Sequence, residues 1–188
     1  MRTKKPQQAE RMLEAAARLF GSQRFHEVRM EDVAAEAGVG KGTIYRYFED
    51  KDELYLTLLA RAGEQLSTRI RERVEAAAAP VDKLEGLVAA SMEFFEEQPH
   101  VFDLIQRADA QRGIGSPWQK TRDEAKELVE AILSEGNRKG ELRVGDPTTV
   151  TLILLGGLRA LIRFGKRPYP RGMTRQLVQT VLFGAATK

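Results

Sequence analysis

The chain of 188 residues carries 30 lysines and arginines against 27 aspartates and glutamates, a net charge of +3 that permits an acidic partner without requiring one. The absence of cysteine excludes disulfides, thiolate metal sites and cysteine nucleophiles, and neither of the two histidines, His26 and His100, sits among carboxylates at ligand spacing. No apolar run follows the basic N-terminus and none reaches about 18 uninterrupted residues, so a soluble, cytoplasmic protein with no metal and no cofactor is expected.

Apolar residues recur at three and four rather than at two, which predicts an all-α chain. Met12, Leu13, Ala16, Leu19 and Phe20 form the inner stripe of a first helix closed by Gly21. Two short helices are expected at 31–37 and 41–48, with Gly38 supplying a left-handed turn between them and Gly40 starting the second. Asp50 and Glu53 stand at capping-box spacing, and Leu54, Leu58, Ala62, Leu66, Ile70 and Val74 carry one long stripe until Pro80 breaks it. Leu84, Leu87, Val88, Ser91, Met92 and Phe95 mark a helix ended by Pro99, and a shorter one runs over 101–112. After the loop Gly113-Ile114-Gly115, Ser116-Pro117 begins a long acidic helix that stops at Lys139-Gly140. Asp146-Pro147 repeats the start signal for a helix to Phe164-Gly165, and a last helix is expected over 174–185.

The segment 37–48, AGVGKGTIYRYF, is the most informative. Ile44 and Phe48, four apart, suit a core, whereas Lys41, Thr43, Tyr45, Arg46 and Tyr47 concentrate phosphate and base-edge partners on one short helix. Two short helices about a glycine turn make a helix-turn-helix. The rival is a nucleotide-binding glycine-lysine loop. That reading fails because Ala35 stands where its first glycine belongs, Gly42 follows the lysine where a hydroxyl should hold magnesium, and a helix rather than a strand leads in.

With Arg11 to Phe20 upstream and Lys51-Asp52-Glu53-Leu54 downstream, residues 9–58 closely resemble the DNA-binding domain of the TetR family of transcriptional regulators. The resemblance implies that Thr43, Tyr45, Tyr47 and Lys51 contact phosphates and that Lys41 and Gly42 lie nearest base edges. Arg46 suits a phosphate or a base, and Arg29, where the family commonly has threonine, exchanges a cap for a phosphate contact. Gly40 stands in place of the usual serine cap, and Arg24 in place of a glycine that ends the first helix. A domain of residues 1–50 is expected to read DNA, and 51–188 to form a helical bundle for effector binding and dimerisation. The function implied is a repressor released from its operator by a small hydrophobic effector. A helical ligand-binding or enzyme domain is the alternative from another class, and no catalysis is expected.

Beyond residue 58 the reading is physical. Residues 151–162 are apolar almost all round and need cover on two sides, and 177–185 offer a matching stripe. Leu158, Leu161, Ile162, Val178, Val181 and Leu182 are therefore the expected homodimer interface, a four-helix arrangement. Residues 147–188 contain seven basic residues and no acid, while acids crowd 123–135, so the acidic and basic helices are expected to complement one another. Phe94, Phe95, Phe102, Ile105 and Trp118 are the expected lining of an effector pocket, with Arg159 and Arg163 as anchors for an acidic group on a fatty acyl or aromatic acid. The competing reading pairs those arginines with Glu127 or Glu130.

Overall fold

The computed structural model describes residues 4–110 and 117–184. Nine helices are found among them: α1 Lys4–Ser22, α2 Met30–Glu36, α3 Lys41–Ile44, α4 Lys51–Glu75, α5 Pro80–Glu97, α6 Pro99–Ala110, α7 Pro117–Lys139, α8 Pro147–Phe164 and α9 Met173–Phe183. There is no strand among the described residues, so the chain is all-α with an N-terminal helix-turn-helix. The Gly113-Ile114-Gly115 loop, Ser116 and Ala185 lie outside the described residues.

The helices gather into two compact units, Met1–Gly63 with Pro99–Trp118, and Glu64–Gln98 with Gln119–Lys188. A boundary at residue 50 is not where the packing divides, because the first half of α4 and all of α6 belong with the helix-turn-helix. Tyr55 explains this. Its ring is buried and its hydroxyl donates to the Leu104 carbonyl of α6. Phe25 stacks on Phe20 with centroids 5.1 Å apart and meets Tyr55 edge-on at 5.1 Å, so one aromatic cluster joins α1, the following turn and α4. On the other side of α1, a methyl group placed at Gly21 would meet His100 Cβ of α6 at 3.0 Å. Gly21 is thus inside α1, permitting close helix packing rather than ending the helix. Burial at this contact depresses the His100 pKa below the ordinary imidazole value.

In the second unit, α5, α8 and α9 pack on one another. Leu84, Leu87, Val88, Met92 and Phe94 of α5, Leu154, Leu158 and Ile162 of α8 and Val178 of α9 are all buried. Asp146 caps α8 by accepting the Thr149 N–H at 2.8 Å and the Thr149 hydroxyl at 2.7 Å, as its spacing foretold. Arg69–Glu97 and Arg73–Glu93 ion pairs, 2.7 and 2.8 Å long, tie the second half of α4 to α5. The acids of α7 are largely matched along their own helix, by Lys120–Glu124, Lys126–Glu130 and Lys139–Glu135 pairs. From the basic C-terminal region, Arg175 reaches Glu85 of α5 at 4.0 Å.

By length and composition α8 is the one described helix apolar enough to cross a membrane. Its inner side is instead the core seam just described. Its outer side, one face of Leu152, Ile153, Gly156, Arg159, Ala160, Arg163 and Phe164, is open, with Leu152 58%, Ile153 55% and Phe164 76% exposed. The expected interface residues therefore need correcting. Leu158, Ile162 and Val178 are buried inside the protomer, and Leu161, Val181 and Leu182 are half-buried. An almost uniformly apolar helix has no period to say which side faces its own core, and the structure selects the opposite face for display.

Candidate nucleic-acid interface

The reading surface is built on a small core. Met12, Ala15, Ala16 and Phe20 of α1 bury against Val33 and Ala34 of α2, and Ile44 and Phe48 close the gap from the far side. Ile44 is fully buried, which is worth roughly 1.5–3 kcal/mol by area removed from water. The turn between α2 and α3 is made by Gly38 at φ +67°, where its N–H donates to the Ala35 carbonyl and that of Val39 to Ala34. Gly40 caps α3 in extended conformation, its carbonyl accepting from Thr43 and Ile44.

The helix is shorter than its sequence suggests. After Ile44 the chain continues in tight turns, with Arg46 N–H donating to Thr43 and Tyr47 N–H to Ile44, so only the 41–44 part of the expected 41–48 helix is α. The division of faces survives: Ile44 and Phe48 are buried while Lys41, Gly42, Tyr45 and Arg46 are exposed. A methyl group at Gly42 would meet nothing within 4 Å, so this position is open to an incoming surface. Arg46 donates to the Thr43 hydroxyl at 3.3 Å, and Tyr45 is exposed beside the Lys41 ammonium, 5.9 Å from its ring centroid. Arg29 is exposed at the N-terminus of α2, where its backbone N–H is accepted by Asp32 at 2.9 Å. The turn at Arg24 needs no left-handed residue: Arg24 N–H donates to the Glu27 carboxylate, and no described residue other than glycine has positive φ.

Two of the expected phosphate ligands have inward duties. Lys51 donates to the carbonyls of Phe25 and Val28, each at 2.8 Å, and its ammonium stands 4.4 Å from the Phe25 centroid. Two of its three donors are therefore committed to the α1–α2 connection. Tyr47 is half-buried and its hydroxyl donates to Gln8 of α1 at 3.1 Å. The sequence carried no signal for Gln8. It did not single out Glu31 either, whose carboxylate accepts from Lys41 at 2.7 Å. That bond holds the Glu31 pKa below the ordinary carboxylate value and lifts that of Lys41, so both stay charged at neutral pH.

The expected effector residues fall into separate groups. Phe94 and Phe95 pack edge-on, centroids 5.2 Å apart, in the core of the second unit, whereas Phe102, Ile105 and Trp118 are buried in the first. Arg159 and Arg163 lie on the exposed face of α8, with the Arg163 guanidinium 5.3 Å from the Phe164 centroid. Glu130, one suggested partner, pairs with Lys126. No cluster of three or more potential metal ligands exists among the described residues.

Residues 12–58 match the family described as bacterial regulatory proteins, tetR family, and residues 77–163 match a tetracyclin repressor-like C-terminal domain. The HTH-type transcriptional repressor KstR2 of Mycobacterium tuberculosis is 30% identical over 137 residues, covering 70% of this chain and 68% of that protein. The fatty acid metabolism regulator protein of Bacillus subtilis is 24% identical over 148 residues, 77% of this chain and 75% of that one. In fold, the chain superposes on the Bacillus subtilis regulator FadR in complex with stearoyl-CoA with a TM-score of 0.81, at 18% identity, over 94% of this chain and 99% of that one.

Proposed function

This chain belongs to the TetR family of bacterial regulatory proteins, and on that premise we propose that it acts in the cytoplasm as a homodimeric, non-catalytic repressor. It is a DNA-binding transcriptional regulator. Two copies of the 41–47 surface enter successive major grooves of an operator, about 34 Å apart, as the symmetry of a two-fold dimer requires. The observation that carries the reading is the division at α3: Ile44 and Phe48 held in the core, and Lys41, Gly42, Tyr45 and Arg46 turned outward. Thr43, Tyr45, Arg46 and Arg29 serve phosphates, with Tyr47 and Lys51 as further phosphate ligands beside their inward bonds. The second copy covers the open face of α8 through Leu152, Ile153 and Phe164, with half-buried Leu161, Val181 and Leu182 at its edge.

An effector in the second unit releases DNA. Its chemistry is an acyl or aromatic acid derivative, with an apolar body for the Phe94 and Phe95 core; Arg159 and Arg163, expected as anchors for its acidic group, stand exposed on the outer face of α8 that the second copy covers and are not assigned to it. Support comes from the named role of the Bacillus subtilis relative in fatty acid metabolism and from the stearoyl-CoA bound to the structural neighbour. The test is retention of genomic fragments by the purified protein, followed by a screen of fatty acids, acyl thioesters and aromatic acids for loss of binding. Release by neutral or cationic compounds while every acidic lipid and aromatic acid fails would overturn the effector assignment.

A further inference from the structure

We propose that Glu31 and Lys41 form one composite reader of a G·C pair in the major groove, Glu31 accepting from cytosine while Lys41 donates to guanine. The inference rests on the docking of residues 41–47 proposed above and extends it to the first helix of the motif.

Glu31 is the second residue of α2 and Lys41 the first of α3, and the Gly38 turn fixes these two helix starts against each other. The carboxylate and ammonium meet at 2.7 Å although both side chains are largely exposed. An exposed ion pair contributes little to folding, so stability is a weak reason for this one. Its geometry suits recognition better. An ammonium has three donors. One goes to Glu31 and two remain, which matches the adjacent N7 and O6 acceptors of guanine. A carboxylate only accepts, and the second oxygen of Glu31 then stands beside those donors, where the paired cytosine offers its N4 amine. An A·T pair breaks the match, because the adenine N6 amine lies between the N7 and O4 acceptors and an ammonium spanning neighbouring acceptors loses one of them.

Glu31 has a second effect on the same lysine. Asp32 accepts from the Arg29 backbone and Glu36 pairs with Arg18 at 2.9 Å, so of the acids of α2 it is Glu31 that meets Lys41. A negative charge there repels phosphate and keeps Lys41 from becoming a sequence-blind backbone ligand. Removing the charge should therefore raise affinity for unrelated DNA while erasing a base preference, an outcome that loss of packing does not produce.

The experiment selects binding sites from a random duplex pool with the full-length protein and then measures affinities for wild type, Glu31→Gln, Glu31→Asp and Lys41→Ala. Wild-type sites should contain a fixed G·C pair in each half-site. Changing it to A·T should weaken binding about tenfold, and inosine·cytosine, with the same major-groove edge, should restore it. Glu31→Gln should bring G·C and A·T duplexes within about twofold and steepen the salt slope on random DNA by roughly one. Glu31→Asp keeps the charge but withdraws it from the base, so it should lose the preference without gaining random-DNA affinity. A Glu31→Gln protein that keeps the wild-type preference at every position overturns the proposal, as does a wild-type site with no fixed G·C pair or a failure of inosine to substitute. If instead Lys41→Ala binds every duplex as wild type does, the docking of residues 41–47 is itself wrong and the composite reader falls with it.

Discussion

Replacing Lys51 by methionine keeps the length of the side chain and removes its ammonium. The carbonyls of Phe25 and Val28 then lose donors at 2.8 Å, and the Phe25 ring loses the charge 4.4 Å from its centroid. Hydrogen bonds to a charged group are worth about 1.5–3 kcal/mol each and a partly exposed cation–π contact about 0.5–1. Lys51 is half-buried, so water reaches the abandoned carbonyls and returns part of that sum; a net loss of about 2 kcal/mol is expected. At a typical urea dependence of about 1–3 kcal/mol per molar, the unfolding midpoint falls by about 1 M. Trp118, the one tryptophan, is buried in the same unit, so its fluorescence follows the event. The α1–α2 connection would loosen, and DNA affinity would drop as a consequence. An unchanged midpoint combined with a salt slope shallower by about one would refute this reasoning and make Lys51 a phosphate ligand without a structural duty.

Tyr45→Phe removes an exposed hydroxyl and should weaken binding to all duplexes alike, by roughly fivefold, with no change in thermal midpoint; anisotropy titrations on specific and random DNA check it. Ile153→Glu places a charge on the open face of α8, and sedimentation should show monomers that retain the wild-type circular dichroism spectrum. Asp146→Ala deletes the cap of α8 and should lower the unfolding midpoint at pH 7. The hydrogen bonds from Thr149 hold the Asp146 pKa below 3.8, so the cap's contribution is complete above the unfolded pKa. It disappears as the pH falls through the lower folded value, and wild type and variant should converge once the pH is below that value in acid titrations followed by circular dichroism.

Local rules made much of the fold legible. The four-residue spacing of Ile44 and Phe48 announced a buried face, glycine at 38 a left-handed turn, and Asp146-Pro147 a helix start, each because the cause lies within a few residues. What escaped depends on partners distant in sequence. Lys51 finds its carbonyls 26 and 23 residues away, and Tyr47 finds Gln8 39 residues away. The expected end of α3 at residue 48 was late because i to i+3 turns keep the same faces as a helix over so short a span. The inner and outer sides of α8 could not be told apart, since a helix greasy on every side has no periodicity to read. Aromatic content suggested Phe94, Phe95, Phe102, Ile105 and Trp118 as pocket lining, but abundance of large side chains carries no information about which unit each belongs to: Phe94 and Phe95 are in the second, the others in the first. Glu31 is different. Its ten-residue separation from Lys41 was within reach, but the pair is visible only once the Gly38 turn sets the two helix starts side by side.

The most direct test of the central claim is a hydroxyl-radical footprint of the purified protein on a genomic fragment it retains, repeated with Lys41→Ala. A dimer reading DNA through residues 41–47 predicts two symmetric protected patches about one helical turn apart, or a multiple of it, with affinity falling steeply as salt rises and with protection lost or misregistered in the variant. A single asymmetric patch, or wild-type protection unaltered by Lys41→Ala, would contradict it.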